Sequence, residues 1–294
     1  MKVLLLDIDS KIPNLALMKL SAWHKKRGDD VELNFQFGQY DKVYASCVFR
    51  KNKIKCLQLP YKDIEIGGVG YDLLKVLPKT VEGLGPDYDL YPDIDYSLGY
   101  TYRGCPRKCP FCIVPLLPKD NSHHSIYEFW NPGHQKLRLL NNNTFADPLW
   151  RETFQEIIKE NLSLIEEGFD IRLLDEEKAH YLAKIKFVKQ IHFAFDGIVD
   201  EQRVRRGIKI LNGVGVKSRR LMFYVLCGFN TTLEEDKYRI DLLKSLGVDP
   251  FVMLYHKESK LLNEFARWNN RYYFGDLKFE DYLKHRRNSY LLKV

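Results

Sequence analysis

No apolar run among the 294 residues reaches the roughly 18 positions that a membrane-crossing helix needs, so no membrane partner is expected. The opening "MKVLLLDIDS" has an apolar run, but Asp7 and Asp9 follow at once and no cleavage site does. It reads as a first strand rather than a signal peptide. A disulfide framework is also missing. Of the six cysteines three are bunched and three scattered, which is not the spacing of a secreted scaffold and points to a reducing cytoplasm. Nor does any block of like charge stand out. The 46 basic and 39 acidic residues leave a formal +7, which permits an anionic partner without requiring one and otherwise reads as a solvated basic surface. Disorder is excluded by a hydrophobic content of 45%, enough for a full core.

What is present is a repeated alternation of strand-like and helix-like stretches. "KVLLLDI", "DVELNF" and "KVYASCVF" read as strands, with "PNLALMKLSAWHKK" as a helix between the first two. Residues 1–80 are thus expected to form a small α/β layer. The Pro, Gly and Asp of residues 81–94 read as a linker. After it come strands "YSLGYTY" and "KLRLL" and a long helix over "DPLWRETFQEIIKENLSLIEEG". That helix would have Asp147 as N-cap, Pro148 in its first turn and Gly168 as its stop. Strands "FDIRLL", "QIHFAF", "RLMFYVLCGF" and "PFVMLY" then alternate with three more helices. Parallel neighbours need crossover helices, so about six βα units are expected over residues 95–260, as a partial TIM barrel. Residues 261–294 read as a helical, aromatic-rich tail.

The densest chemistry is "YRGCPRKCPFCIVP", which places Cys105, Cys109 and Cys112 at i, i+4 and i+7. On a helix these would share one face. However, Pro106 and Pro110 push the preceding cysteines out of the α region and lack the N–H a helix ladder needs. An irregular loop with three inward thiolates has the shape of a metal site. Structural zinc takes four ligands, usually as two separated pairs, and no second pair is present, although His123 or His124 could supply a fourth ligand. An iron–sulfur cluster normally takes four cysteines, so three would leave one iron of a 4Fe–4S cluster open for chemistry.

The CxxxCxxC spacing, with Phe111 just before the last cysteine and a barrel strand just before the loop, resembles the signature of the radical S-adenosylmethionine (SAM) superfamily. The resemblance spans about residues 95–260. It implies a 4Fe–4S cluster on Cys105, Cys109 and Cys112, with SAM chelating the fourth iron. One electron would then split SAM into methionine and a 5′-deoxyadenosyl radical that takes hydrogen from a substrate. By position, Asn141, Asn142 and Asn143 would hold the SAM amino and carboxylate groups, Asp196 the ribose hydroxyls and Arg206 the carboxylate. Gly228 would let the backbone approach the adenine. Apart from the resemblance, the asparagines read as a turn, Asp196 as a helix cap and Arg205 and Arg206 as solvated charges. Thr231 with Glu234, or Thr232 with Glu235, makes a capping box. Cys47, Cys56 and Cys227 read as buried residues.

The N-terminal layer is similar to the Rossmann-like cobalamin-binding domain that precedes some radical SAM enzymes. It lacks that domain's Asp-x-His-x-x-Gly motif, so the fold is expected without cobalamin. Asp7, Asp9 and Ser10 would crown the first strand, where open α/β sheets bind ligands. "RGCPRKCPFCIVP" also resembles the cysteine stretch of methylthiotransferases acting on tRNA and ribosomal proteins, but their second cysteine triplet and RNA-binding barrel are not visible. An anionic substrate such as nucleic acid is expected, with a flavodoxin- or ferredoxin-type electron donor docking near Arg103, Arg107 and Lys108. The competing expectation is a non-catalytic, metal-stabilised binding module on the same thiols.

Overall fold

A computed structural model describes residues 1–35, 37–272, 275 and 277–291; for residues 287–291 only the backbone is described. The chain divides into two compact units: Met1–Lys108 with Cys112–Asn142, and Cys109–Phe111 with Asn143–Val294.

The first unit contains β1 (Lys2–Asp7), α1 (Leu15–Lys26), β2 (Asp30–Leu33), β3 (Lys42–Ser46), α2 (Lys53–Leu57), β4 (Ile64–Gly67), α3 (Lys79–Glu82), β5 (Ser97–Gly99) and β6 (Lys136–Leu139). Strands β2-β1-β3-β4 form one sheet, all parallel. β1 buries Val3 to Leu6 continuously, as a parallel strand covered on both faces must. Val3 and Leu5 pack with Leu17 and Met18 on one face, and Leu4 and Leu6 with Val43 and Ala45 on the other. Helix α1 starts where the Asn14 side chain accepts from Leu17 N–H. The stretch read as a linker is built into this unit. Val81 and Leu90 are buried in the Val3 core. The Tyr88 hydroxyl donates to the Phe129 carbonyl (2.5 Å) and accepts from Leu98 N–H (3.1 Å). β5 and β6 pair in parallel.

The second unit contains α4 (Trp150–Lys159), β7 (Ser163–Glu166), α5 (Glu176–Lys184), β8 (Lys186–Phe187), β9 (Ile191–Ala194), α6 (Glu201–Gly213), β10 (Leu221–Cys227), α7 (Leu233–Ser245), β11 (Asp249–Leu254), α8 (Lys260–Asn270) and α9 (Phe279–Leu291). The sequence-based boundaries need two corrections here. The helix expected to run to Gly168 ends at Lys159, because Asn161 turns left-handed (φ 55°) and Leu162 and Leu164 then alternate into the core as a strand pattern. Its start also lies later: Asp147 accepts from Leu149 N–H, and the helix begins at Trp150. The strand expected at "FDIRLL" is a 3₁₀ turn over Ile171–Leu173, capped by the Asp170 carboxylate accepting from Arg172 N–H. Only Phe169 of that stretch makes a sheet bridge, to Phe193.

β7 pairs with β8, and β9-β10-β11 form a parallel ladder. β10 alternates Leu221, Phe223, Val225 and Cys227 into the core, where Phe223 stacks on Phe193 at 5.3 Å. Helix α7 opens with the Thr232–Glu235 capping box. The tail is helical over α8 and α9; among the described residues, no helix is long and apolar enough to cross a membrane.

Candidate functional site

The cysteine loop follows β5. Residues 102–109 take no regular secondary structure, as the prolines dictate. Gly104 is there for a close approach: a Cβ would lie 2.3 Å from the Tyr102 ring. The loop is tied to the end of β6. Asn141 Oδ1 accepts from Thr101 N–H (2.8 Å) and Tyr102 N–H (3.1 Å), and its amide donates to Thr101 Oγ1. Asn142 Nδ2 donates to the Arg103 carbonyl at 2.8 Å. Both asparagines therefore shape the loop that carries Cys105. Arg103, expected at a docking surface, pairs with Glu82 at 2.6 Å and lies over the Tyr100 ring.

Cys105, Cys109 and Cys112 are half-buried, unlike the buried Cys47, Cys56 and Cys227. Among the described residues, no group of three or more His, Cys, Asp or Glu side chains stands in a metal-holding arrangement. Cys105 and Cys112 lie with the first unit and Cys109 with the second.

In the second unit a charged cluster forms where the strands end. The Asn143 amide donates to Asp170 Oδ2 (3.3 Å). Asp170 in turn accepts from Arg172 through Nε (2.7 Å) and Nη2 (3.3 Å). Arg172 Nη1 lies 3.7 Å from Asp200, which Arg203 holds at 2.7 Å. Burial works against the Arg172 charge, but the bonds to Asp170 and the fields of Asp170, Asp200 and Cys109 outweigh it and raise its pKa. Asp196, at the end of β9, is half-buried. Burial pushes its pKa up to about 6; Arg172 and Arg239 pull it down, while Asp200 and Asp170 add to the rise. The cap reading fails for Asp196, since Gly197 and Asp200 hold the N-cap positions that follow.

The brace behind Asp196 is a buried ion pair. Arg239 and Asp236 on α7 are both fully buried and 2.5 Å apart. Arg239 also donates to the carbonyls of Phe195 (2.5 Å) and Leu226 (2.7 Å), tying the ends of β9 and β10 together. Cys227 sits beside Asp236, and burial chiefly pushes its thiol pKa up. Gly228 follows at φ 79°, and a Cβ there would meet Leu262 at 2.8 Å. Next to it Phe229 packs edge-on against Phe111 (5.4 Å) and Tyr255 (4.7 Å).

The structure thus brings Asn143, Asp196 and Cys109 into one charged neighbourhood, and Phe111 beside the Gly228 turn. It does not add Arg206, which is exposed on α6 while Val204, Gly207 and Ile208 face inward. Sequence reasoning missed Arg172 and Asp170 because "FDIRLL" read as a strand. It missed Asp236 and Arg239 although a charged i, i+3 pair on the inward face of a helix is a usable signal.

This is a two-unit α/β chain whose cysteine loop follows a parallel βα start. No family model and no curated protein matches the sequence. Among solved structures it is similar to a cobalamin-dependent S-adenosylmethionine radical enzyme, OxsB, solved with aqua-cobalamin and S-adenosylmethionine bound. The TM-score is 0.50 and the identity 13%, over 82% of this chain and 51% of that one. The chain spans about half the length of that enzyme, and at this identity the likeness concerns the fold.

Proposed function

We propose that the chain is a radical SAM enzyme of the reducing cytoplasm whose second half follows a partial (β/α)6 barrel. The observation that carries this reading is the CxxxCxxC loop, held out of helix by two prolines directly after the first strand of a parallel βα series. The number and kind of donors suit a 4Fe–4S cluster, three half-buried thiols from one irregular loop, although their side chains do not stand grouped as a metal site in this structure. Cys105, Cys109 and Cys112 would hold it. When bound, the cluster supplies the electron that cleaves SAM to the 5′-deoxyadenosyl radical.

The chain's own residues would then bind and orient. Asp196 accepts ribose hydroxyls, and its pKa of about 6 leaves it ionised at neutral pH. Arg172, steadied by Asp170 and Asp200, replaces Arg206 as the cation facing the SAM carboxylate. Phe111, Phe229 and the Gly228 turn give an apolar wall with close backbone approach for the adenine. Asn141 and Asn142 act indirectly by fixing the loop, and Asn143 by orienting Asp170. The electron donor is a flavodoxin- or ferredoxin-type protein, and the substrate is anionic.

The N-terminal layer is read as lacking the histidine-ligated form of cobalamin. Residues 7–14 and 46–52, at the carboxyl ends of β1 and β3, contain no histidine to ligate cobalt. Their polar groups bond to one another: Asn14 Nδ2 to Ser10 and Ser46, and Asp9 to Val48, Phe49 and Asn52. His24 gives both ring nitrogens to Asp29 and Tyr44.

The test is anaerobic purification with iron, sulfide and zinc analysis, followed by reduction with SAM. A brown protein with about four irons that yields 5′-deoxyadenosine supports the reading. A colourless protein with stoichiometric zinc and no cleavage refutes it in favour of a metal-stabilised binding module.

A further inference from the structure

The expectation that no block of like charge stands out needs a correction around residues 50–55, where four of six residues are basic. Between Lys42 and Asp63 there are five basic residues after Lys42 and no acidic one. Four of them, Arg50, Lys51, Lys53 and Lys55, are exposed on the short turn-and-helix segment after β3. Interleaved with them are Phe49, Ile54 and Leu57, exposed at 37%, 58% and 62%. Cys56 is the buried residue of α2, so it marks the inward side. Ile54, two positions earlier, points outward, flanked in sequence by cations.

This segment is held rigidly. Asp9 accepts from Val48 N–H (2.7 Å), Phe49 N–H (3.0 Å) and Asn52 Nδ2 (2.9 Å). From the other side, Gly70 N–H donates to the Cys47 carbonyl at 2.9 Å. A Cβ on Gly68 would lie 2.3 Å from the Cys47 carbonyl oxygen, and one on Gly70 would lie 2.7 Å from the Phe49 backbone, so this strap lies flush against the segment. Lys53 is fixed on Tyr71 through its carbonyl and ring, and Lys11 lies over the Phe49 ring at 5.8 Å. The Asp9 carboxylate is spent on the amides of Val48 and Phe49 and on the Asn52 side chain. The result is a pre-organised surface with an apolar centre and a cationic rim.

We propose that residues 49–57, with Lys11, form a docking surface for an acidic protein segment that inserts an apolar side chain beside Ile54 and Leu57. An apolar centre within a charged rim is the anatomy of protein–protein contacts, and an unneutralised cationic rim selects an acidic partner. A second copy of the chain would bring the same positive charge. Single-stranded nucleic acid wants aromatic stacking faces, and here the exposed apolar groups are mainly aliphatic.

The test uses the full chain and three labelled probes in fluorescence anisotropy or co-sedimentation: a Glu/Asp-rich peptide with a Leu-Phe centre, an oligouridylate, and phosphatidylglycerol vesicles. The peptide is expected to bind saturably at physiological salt. Lys51→Glu with Lys55→Glu should weaken it about tenfold or more and flatten its salt dependence. Ile54→Ser should weaken it about fivefold or more with the salt dependence unchanged. All three positions are exposed, so thermal melts should match the parent and separate lost binding from lost fold. Absent peptide binding, variants that bind it like the parent, or tighter binding of the oligouridylate or the vesicles each overturn the proposal.

Discussion

Glu166 offers a test of the second unit that needs no cofactor. It ends β7, is 5% exposed, and accepts from Thr144 Oγ1 at 3.0 Å. Burial drives its pKa from 4.5 up to about 8, against smaller opposing pulls from the Thr144 hydroxyl and the amides of Gly168 and Glu167. A folded-state pKa above the unfolded one gives stability that is complete below 4.5 and lost as pH rises through 8. At about 1.4 kcal/mol per pH unit, the span from 4.5 to 8 is worth about 5 kcal/mol. That is a large share of the roughly 5–15 kcal/mol that holds a typical domain folded. Glu166→Gln keeps the shape and removes the titration. In urea unfolding at stepped pH, followed by circular dichroism, the difference between parent and variant isolates this group from every other titration. The variant is expected to gain on the parent steadily from pH 4.5 and to stop gaining above pH 8. Parallel curves over that range would refute the burial argument.

Three further outcomes follow from the same unit. On the proposed reading, Asp196→Asn should weaken SAM binding about tenfold, and parent affinity should fall below pH 6 as the carboxylate protonates, seen by calorimetry at stepped pH. Arg239→Met takes the buried partner from Asp236 and a donor from two carbonyls, so it should cost about 3–5 kcal/mol; Arg239→Met with Asp236→Leu should recover most of that in chemical denaturation. Gly228→Ala forces a Cβ into a positive-φ turn against Leu262 and should lower stability by about 1–3 kcal/mol, with a larger loss of SAM affinity than a remote glycine change such as Gly213→Ala, which meets open space.

Local pattern was enough for what depends on neighbours in sequence. The irregular cysteine loop follows from Pro106 and Pro110, β10 from its continuous apolar and aromatic run, and the start of α7 from Thr232 and Glu235 three apart. The expected helix over 147–168 failed because Ile158, Leu162 and Ile165 satisfy helical spacing while Leu162 and Leu164 also satisfy strand spacing. Burial against the core settled it for the strand. The charged neighbourhood was legible only in part: Asp196 lies at a strand end, where ligands are expected, but Arg206 was named from its position along the chain and Arg172 was missed.

The sequence by itself determined that strands and helices alternate along the chain and that three sulfurs sit in a loop that cannot be helix. Tertiary structure alone decided which charges meet. Asp170 and Arg172 share one turn, but Asp196 follows β9 and Asp200 holds the N-cap position of α6, and Arg239 reaches two strands at once. Backbone sterics and periodicity act within a few residues and can be read from letters. The field at a carboxylate depends on burial and on groups tens of positions away, which only the folded chain brings within reach.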